Sequence, residues 1–182
     1  MKIIQEFITK KNRKIQIIEP TLDLLDEMVV FINRLAKENT FLSFDPSKET
    51  TRVDEEKSIL NQIERNANGF GALRWAICNS KIVGLVDIRH ITNVREYHIG
   101  SVSIMVDQDF RGEGLGTFLM EMIFELGRKM GIRTAILDVF SDNEAALALY
   151  TKLGMTQYGS LPDGLYRNKK FSSKILMSKR LL

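Results

Sequence analysis

Arg111-Gly112-Glu113-Gly114-Leu115-Gly116 constrains this chain more than any other stretch, because of what flanks it. Before it, Ile99-Gly100-Ser101-Val102-Ser103-Ile104-Met105-Val106-Asp107 alternates like a strand. After it, Leu115, Phe118, Leu119, Met122, Ile123, Leu126 and Met130 recur at helical spacing. A glycine-rich passage from strand to helix leaves unpaired backbone N–H groups at the positive end of the helix dipole. That geometry binds phosphate, and glycine lets an anion approach without obstruction by Cβ. Tight packing alone can also require such a turn, so the loop does not decide by itself. Two familiar phosphate motifs fail here. The nucleotide P-loop needs Lys-Ser/Thr after its last glycine, where Leu115-Gly116-Thr117-Phe118 stands, and the dinucleotide fingerprint needs a different glycine spacing from 112, 114 and 116.

Composition narrows the classes. A chain of 182 residues with 44% hydrophobic content can fill one core. No apolar run approaches the roughly 20 residues that span a bilayer, and the segment Met1-Lys2-Ile3-Ile4-Gln5-Glu6 interrupts what a signal peptide would keep apolar. The expectation is a cytoplasmic chain with no membrane partner. Cys78 is the single cysteine and falls in a predicted strand, which points to a buried thiol; with two histidines there is no zinc-ligand pattern. A net charge of +3 does not argue for nucleic acid. Basic residues do gather at Lys10, Lys11, Arg13 and Lys14, and again from Arg167 to Arg180. These read as solvated surface or as a rim attractive to phosphate.

The rest of the chain reads as alternating strands and helices. Residues 3–9 and 14–18 form a hairpin or one interrupted strand. Thr21 caps a helix to about Lys37, with Leu25, Met28, Val29, Ile32, Leu35 and Ala36 inward. A second helix occupies about 48–66. Strands near 71–78 and 82–91 meet at Asn79-Ser80-Lys81, and the signature strand and helix follow. A strand over Ala135–Phe140, a helix opened by Asn143, and a closing strand pair near 156–166 and 171–180 complete the order, which implies a mixed α/β sheet.

Arg111, Gly114 and Gly116 match Gln/Arg-x-x-Gly-x-Gly/Ala, the acyl-CoA signature of the GNAT superfamily of N-acetyltransferases. Downstream, Asn143 opens a helix that carries Tyr150 and ends at Leu153-Gly154-Met155, which resembles the second motif of that family. Both motifs stand in the right order within about residues 70–156. The resemblance implies a single N-acetyltransferase domain over 1–182. Its fold would be a mixed, splayed, mostly antiparallel sheet of about six to seven strands flanked by about four helices. The signature strand and the strand after the signature helix would part to admit the pantetheine arm of acetyl-CoA.

The same resemblance assigns roles. The backbone amides of Gly112, Glu113, Gly114, Leu115, Gly116 and Thr117 would hold the pyrophosphate, with the Thr117 hydroxyl as an extra donor. Arg111 would fix the loop more than reach a phosphate. Ile104, Met105 and Val106 would offer backbone groups to pantetheine and the acetyl oxygen, while also serving as ordinary core residues. Tyr150 would protonate the departing thiolate. Asn143 would cap its helix and hydrogen-bond the pantetheine. Lys152 would lie near the phosphates or on a solvated helix face, the second being favoured. For the general base, many members carry a glutamate where this chain has Ser101. Three alternatives stay open: Asp138 first, His98 (with Glu96 beside it) second, and water third.

Acceptor walls in the family come from the first two helices, the loop between them and the loop between the last two strands. Here Phe41, Leu42 and Phe44 would form an apolar lip, with Asp45, Glu49, Asp54, Glu55 and Glu56 adding negative charge. A polyamine or other small amine, a lysine side chain or a protein N-terminus fits that equally well, and the acids also suit a solvated helix start. The expected reaction is acetyl transfer from acetyl-CoA to a primary amine by direct attack in a ternary complex. A non-catalytic CoA-binding sensor and a nucleic-acid-associated factor are the alternatives. Homodimerisation, common in such proteins, rests on the resemblance alone.

Overall fold

One eight-stranded sheet organises the chain, and its strand order decides where a ligand can enter. The computed structural model describes residues 2–38, 41, 48–167 and 169–182. Its strands are β1 (Ile3–Ile8), β2 (Lys14–Ile18), β3 (Gly71–Cys78), β4 (Lys81–His90), β5 (Ile99–Val106), β6 (Thr134–Phe140), β7 (Thr156–Arg167) and β8 (Lys170–Arg180). The helices are α1 (Leu25–Lys37), α2 (Arg52–Ala67), α3 (Leu115–Lys129) and α4 (Glu144–Lys152). In space the strands run β1-β2-β3-β4-β5-β6-β8-β7. Every neighbouring pair is antiparallel except β5 and β6, which α3 joins as a crossover. Among the described residues no helix is long and apolar enough to cross a membrane.

The count of strands exceeds the six to seven expected because the N-terminal segment is a true hairpin of two. Local chemistry sets most boundaries. Asn79 and Ser80, both at positive φ, make the two-residue turn between β3 and β4. Thr21 caps a short 3-10 turn, Leu22–Leu24, before α1 begins. Within α1, Phe31 joins the buried set and Val29 only packs against it, a shift of the inward stripe from the one expected. The second helix starts at Arg52, later than expected, because Thr51 and Asp54 form a reciprocal capping box there.

Two apolar clusters cover the two faces of the sheet. Val86, Ile88, Val102, Leu137 and Val139 pack toward α3 and α4 with Leu119, Ile123, Phe124 and Tyr150. Trp75, Ile77, Ile82 and Leu85 pack on the other face with Met28, Phe31 and Leu35 of α1 and Ile59 of α2. Past the bulge that pairs Ile82 with Ile77 and Gly84 with Ala76, strand alternation sends odd-numbered side chains of β4, and those of β5, toward α1 and α2. This parity places the polar residues of the site.

Candidate active site

The sheet opens between its two parallel strands. β4 pairs with β5 from Gly100 through Val106, and β8 pairs with β6 from Thr134 through Phe140. β5 and β6 themselves pair only at Ile99–Thr134, Gly100–Ala135 and Ser101–Ile136. Beyond those positions the strands part, and alternate backbone N–H and C=O groups of Val102 to Val106 face a cleft. Such groups need partners from water or ligand. Ile104 and Val106 point their side chains toward α3, and Met105 points toward α1, so the backbone is left to line the opening.

The glycine loop stands at the mouth of this cleft. Gly112 and Gly114 hold φ of +74° and +90°, conformations that an L side chain rarely adopts. They turn the chain so that α3 presents its first amides outward. The first bond into α3 runs from Phe118 N–H to the Gly114 carbonyl at 3.1 Å, leaving the amides of Leu115, Gly116 and Thr117 ahead of it. Gly116 serves a different purpose, since a Cβ there would meet Leu149 Cδ2 of α4 at 3.3 Å. Arg111 donates to the Val106 carbonyl at 3.0 Å and pairs with Glu38 at 2.6 Å. Those bonds fix the loop onto the ends of β5 and α1.

Glu113 contributes only its backbone toward the cradle. Its side chain is buried, 2% exposed, and pairs with Arg13 and Lys11 of the N-terminal hairpin. The Arg13 guanidinium above all pulls the Glu113 carboxyl down to about 2, and Thr9 and Lys11 assist. The Glu113 carbonyl also accepts from Lys10 N–H at 3.0 Å. Of the basic residues near the N-terminus, Lys11 and Arg13 are thus used on Glu113, and Lys14 on Glu6 at 2.8 Å. Lys10 is different: its Cε lies 3.9 Å from where a Gly114 Cβ would be, beside the cradle. Sequence reading grouped these four cations together, and only the hairpin geometry separates Lys10 from the rest. Because the folded Glu113 pKa is depressed, its stabilising pairing is present above the ordinary carboxylate pKa near ~4.3 and is lost as pH falls through about 2. Glu113→Gln should flatten the loss of thermal stability between those two pH values, read as Tm against pH.

Tyr150 and Asp138 flank the cleft from α4 and β6. Tyr150 is 8% exposed, and burial, with the Asp138 charge second, pushes its phenol up to about 12. Asp138 lies on the splayed half of β6, half-exposed and paired to Lys174 at 3.2 Å. Asn143 caps α4 by accepting from Ala146 N–H at 3.2 Å, which leaves its amide NH2 group unused by that bond. Lys152 is exposed on the last turn of α4. His98 is not brought to this group. It precedes β5 at the closed end, where its carbonyl accepts from Arg133 and Thr134. Ile104 is six residues further along an extended strand, roughly 20 Å at ~3.3 Å per residue. Glu96 lies in the same exposed turn.

On the face toward α1 and α2 the structure holds a chamber of about 210 Å³ that sequence reading did not find. Its floor includes Asp87 and Arg89 of β4 and Ser103 and Met105 of β5. Its roof is α2, which turns Glu55, Ser58, Gln62 and Arg65 inward. Asp87 is 8% exposed and accepts a hydrogen bond from the Ser103 hydroxyl, with Arg89 at 3.6 Å. Burial pushes the Asp87 carboxyl up, against the opposing influence of Ser103, Arg89 and Arg65. The available signal was a lone carboxylate inside Ile82-Val83-Gly84-Leu85-Val86-Asp87-Ile88, where a buried strand has no structural use for one. Among the described members of the acidic run expected near the acceptor, only Glu55 faces the chamber. Glu49 pairs with Lys37, Asp54 caps α2, and Glu56 leans toward Arg52. Phe41 packs edge-on against Phe140 with ring centroids 5.5 Å apart, whereas Leu42, Phe44 and Asp45 lie outside the described residues.

Known proteins share this fold. The model of the acetyltransferase (GNAT) family matches residues 33–155. An acetyltransferase of the GNAT family from Streptococcus pneumoniae is 31% identical and superposes with a TM-score of 0.82, over 91% of this chain and 98% of that one. The structure of yncA from Salmonella typhimurium, which holds acetyl-CoA as its cofactor, superposes with a TM-score of 0.80 over 92% of this chain and 94% of that one. At 15% identity that is a likeness of fold. The uncharacterised N-acetyltransferase MJ1207 of Methanocaldococcus jannaschii is 34% identical over 100 residues, 52% of this chain and 42% of that protein. The chain therefore spans less than half the length of that relative.

Proposed function

The chain belongs to the GNAT family of acetyltransferases, and on that premise we propose that it transfers the acetyl group of acetyl-CoA to a primary amine by direct attack in a ternary complex. The observation that carries this reading is the parting of β5 from β6 beside the glycine loop, which puts a phosphate seat and an open strand edge in one cleft. The residues present fit the cosubstrate. The outward amides at the start of α3 suit a pyrophosphate, Lys10 adds a cation beside them, and the β5 edge suits an amide-bearing arm. When bound, acetyl-CoA supplies the activated thioester carbonyl.

The chain's own groups then divide the proton traffic. The acceptor enters as an ammonium, and one proton passes through the Ser103 hydroxyl to the Asp87 carboxylate. The freed lone pair forms the C–N bond while the C–S bond breaks. A backbone N–H of the β5 edge meets the negative charge that develops on the acetyl oxygen. Tyr150 delivers its proton to the departing sulfur and regains one from solvent, which receives the nitrogen's remaining surplus proton. Asp87 is assigned the base role ahead of Asp138 because Asp138 is half-exposed and engaged by Lys174. The negative charge of Asp138 instead helps keep the Tyr150 proton in place.

Calorimetric titration with acetyl-CoA, followed by thiol release over a panel of amines and peptide N-termini, tests the reading. Binding with turnover on an acceptor supports it. Binding with no turnover on any amine favours a cofactor sensor, and no binding removes the cleft assignment. Asp87→Asn should lower kcat/KM by roughly 10²-fold or more and flatten the acidic limb of its pH profile. Asp138→Asn should keep that limb. An intact limb in Asp87→Asn returns proton acceptance to Asp138 or water.

A further inference from the structure

The roof of the chamber has a polarity of its own. Helices that cover a sheet normally turn an apolar stripe inward. In α2, Ile59 is fully buried and Ile63 packs against the same cluster, yet the chamber side of the helix carries Glu55, Ser58, Gln62 and Arg65, spaced three, four and three residues apart. The stripe begins with a carboxylate and ends with a guanidinium, roughly 15 Å away at ~1.5 Å per residue. Glu55 is 7% exposed as a residue, and among the described residues its carboxylate has neither an ion-pair nor a hydrogen-bond partner and faces the chamber, where burial pushes it up. A carboxylate drawn inside without a protein partner favours a cationic ligand group that would hold it ionised. Arg65 likewise has no ion pair among the described residues and acts on Asp87 only at longer range.

The sheet repeats this arrangement beneath the helix. Asp87 carries a negative charge on the floor, and Arg89, two residues on, carries a positive one on the same face. Four charges thus line one chamber, two of each sign, and sum to zero. A polyamine would satisfy the carboxylates while setting further cations against Arg65 and Arg89. The chamber is also smaller than the ~300–1,000 Å³ pockets that take drug-sized ligands, which disfavours a folded protein segment.

We propose that the acceptor taken by this chamber is a small zwitterion of the free amino-acid type, its amine drawn to Asp87 and Glu55 and its carboxylate to Arg65 and Arg89. The proposal rests on the acetyl-transfer reading above and names the substrate class for it. The carboxylate end is what separates this acceptor from a simple amine. Arg65 and Arg89 are specificity residues here, and Asp87 is the proton acceptor as before.

The test is acetylation of each free L-amino acid alongside its carboxamide and its decarboxylated amine, with putrescine and spermidine in the same panel. At least one free amino acid should exceed its carboxamide and its amine by roughly tenfold or more in kcat/KM, the scale of a charge-assisted contact. Arg65→Gln should narrow that ratio to within about threefold, with acetyl-CoA affinity and melting temperature held as controls for folding. Arg65→Lys should recover part of the ratio. Preference for a polyamine or carboxamide, no turnover on any free amino acid, or an unchanged ratio in Arg65→Gln overturns the zwitterion assignment. Failure of acetyl-CoA to bind is a different result, since it removes the acetyl-transfer reading itself.

Discussion

Tyr150→Phe should lower kcat by roughly 10²-fold or more, the range of a lost general acid, while acetyl-CoA affinity stays within about twofold. The ring is part of the core beneath α4, so phenylalanine keeps the packing and removes only the hydroxyl. The phenol is held protonated by burial and by the Asp138 charge, up to about 12. It therefore carries a proton to give at every pH of a practical assay, and kcat should show no loss on the alkaline side below about pH 10 from this group. Asp138→Asn removes one of the two influences that raise the phenol, so its alkaline limit should move down. Unchanged kcat in Tyr150→Phe, measured by single-turnover acetyl transfer to exclude product release, would dismiss the residue as the acid.

The sequence was most legible where backbone chemistry is local. Asn143 as a helix cap and the Asn79-Ser80 turn follow from residue type, and the glycine run marks the strand-to-helix turn, whereas only the structure separates the left-handed Gly112 and Gly114 from Gly116. The splay was available only through the family resemblance. Nothing in the alternation of Ile99 to Val106 says that pairing with β6 ends after Ser101. The polar chamber was lost for another reason. Asp87 and Ser103 are sixteen residues apart and meet only through the β4–β5 register, while Glu55 reads like its neighbours Asp54 and Glu56 until α2 is docked on the sheet. Composition treats those three acids as one patch. Packing makes one a cap, one a surface charge and one a buried group facing a cavity.

Gly114→Asp carries the other large effect, and comparison with Gly114→Ala separates its causes. At φ +90° any L residue is strained by about 1–2 kcal/mol, so both variants should melt earlier by a similar margin. Space is not the obstacle, because the nearest atoms to an added Cβ are Phe7 Cζ at 3.7 Å and Lys10 Cε at 3.9 Å. Charge is. An aspartate at this position sets a carboxylate before the outward amides of α3 and beside Lys10, occupying the donors and the cation that a pyrophosphate would use. Strain shared by the free and bound states cancels in a binding constant, so Gly114→Ala should weaken acetyl-CoA binding by at most about tenfold, the limit reached if the loop relaxes to relieve its strain, and Gly114→Asp by roughly 10³-fold or beyond detection in calorimetry. Lys10→Ala should fall between wild type and Gly114→Asp, with a shallower dependence of affinity on salt. Equal affinities for the alanine and aspartate variants would mean that the loop holds α3 against α4 and takes no phosphate, in which case Gly116 and its contact with Leu149 would be the reason for the glycines.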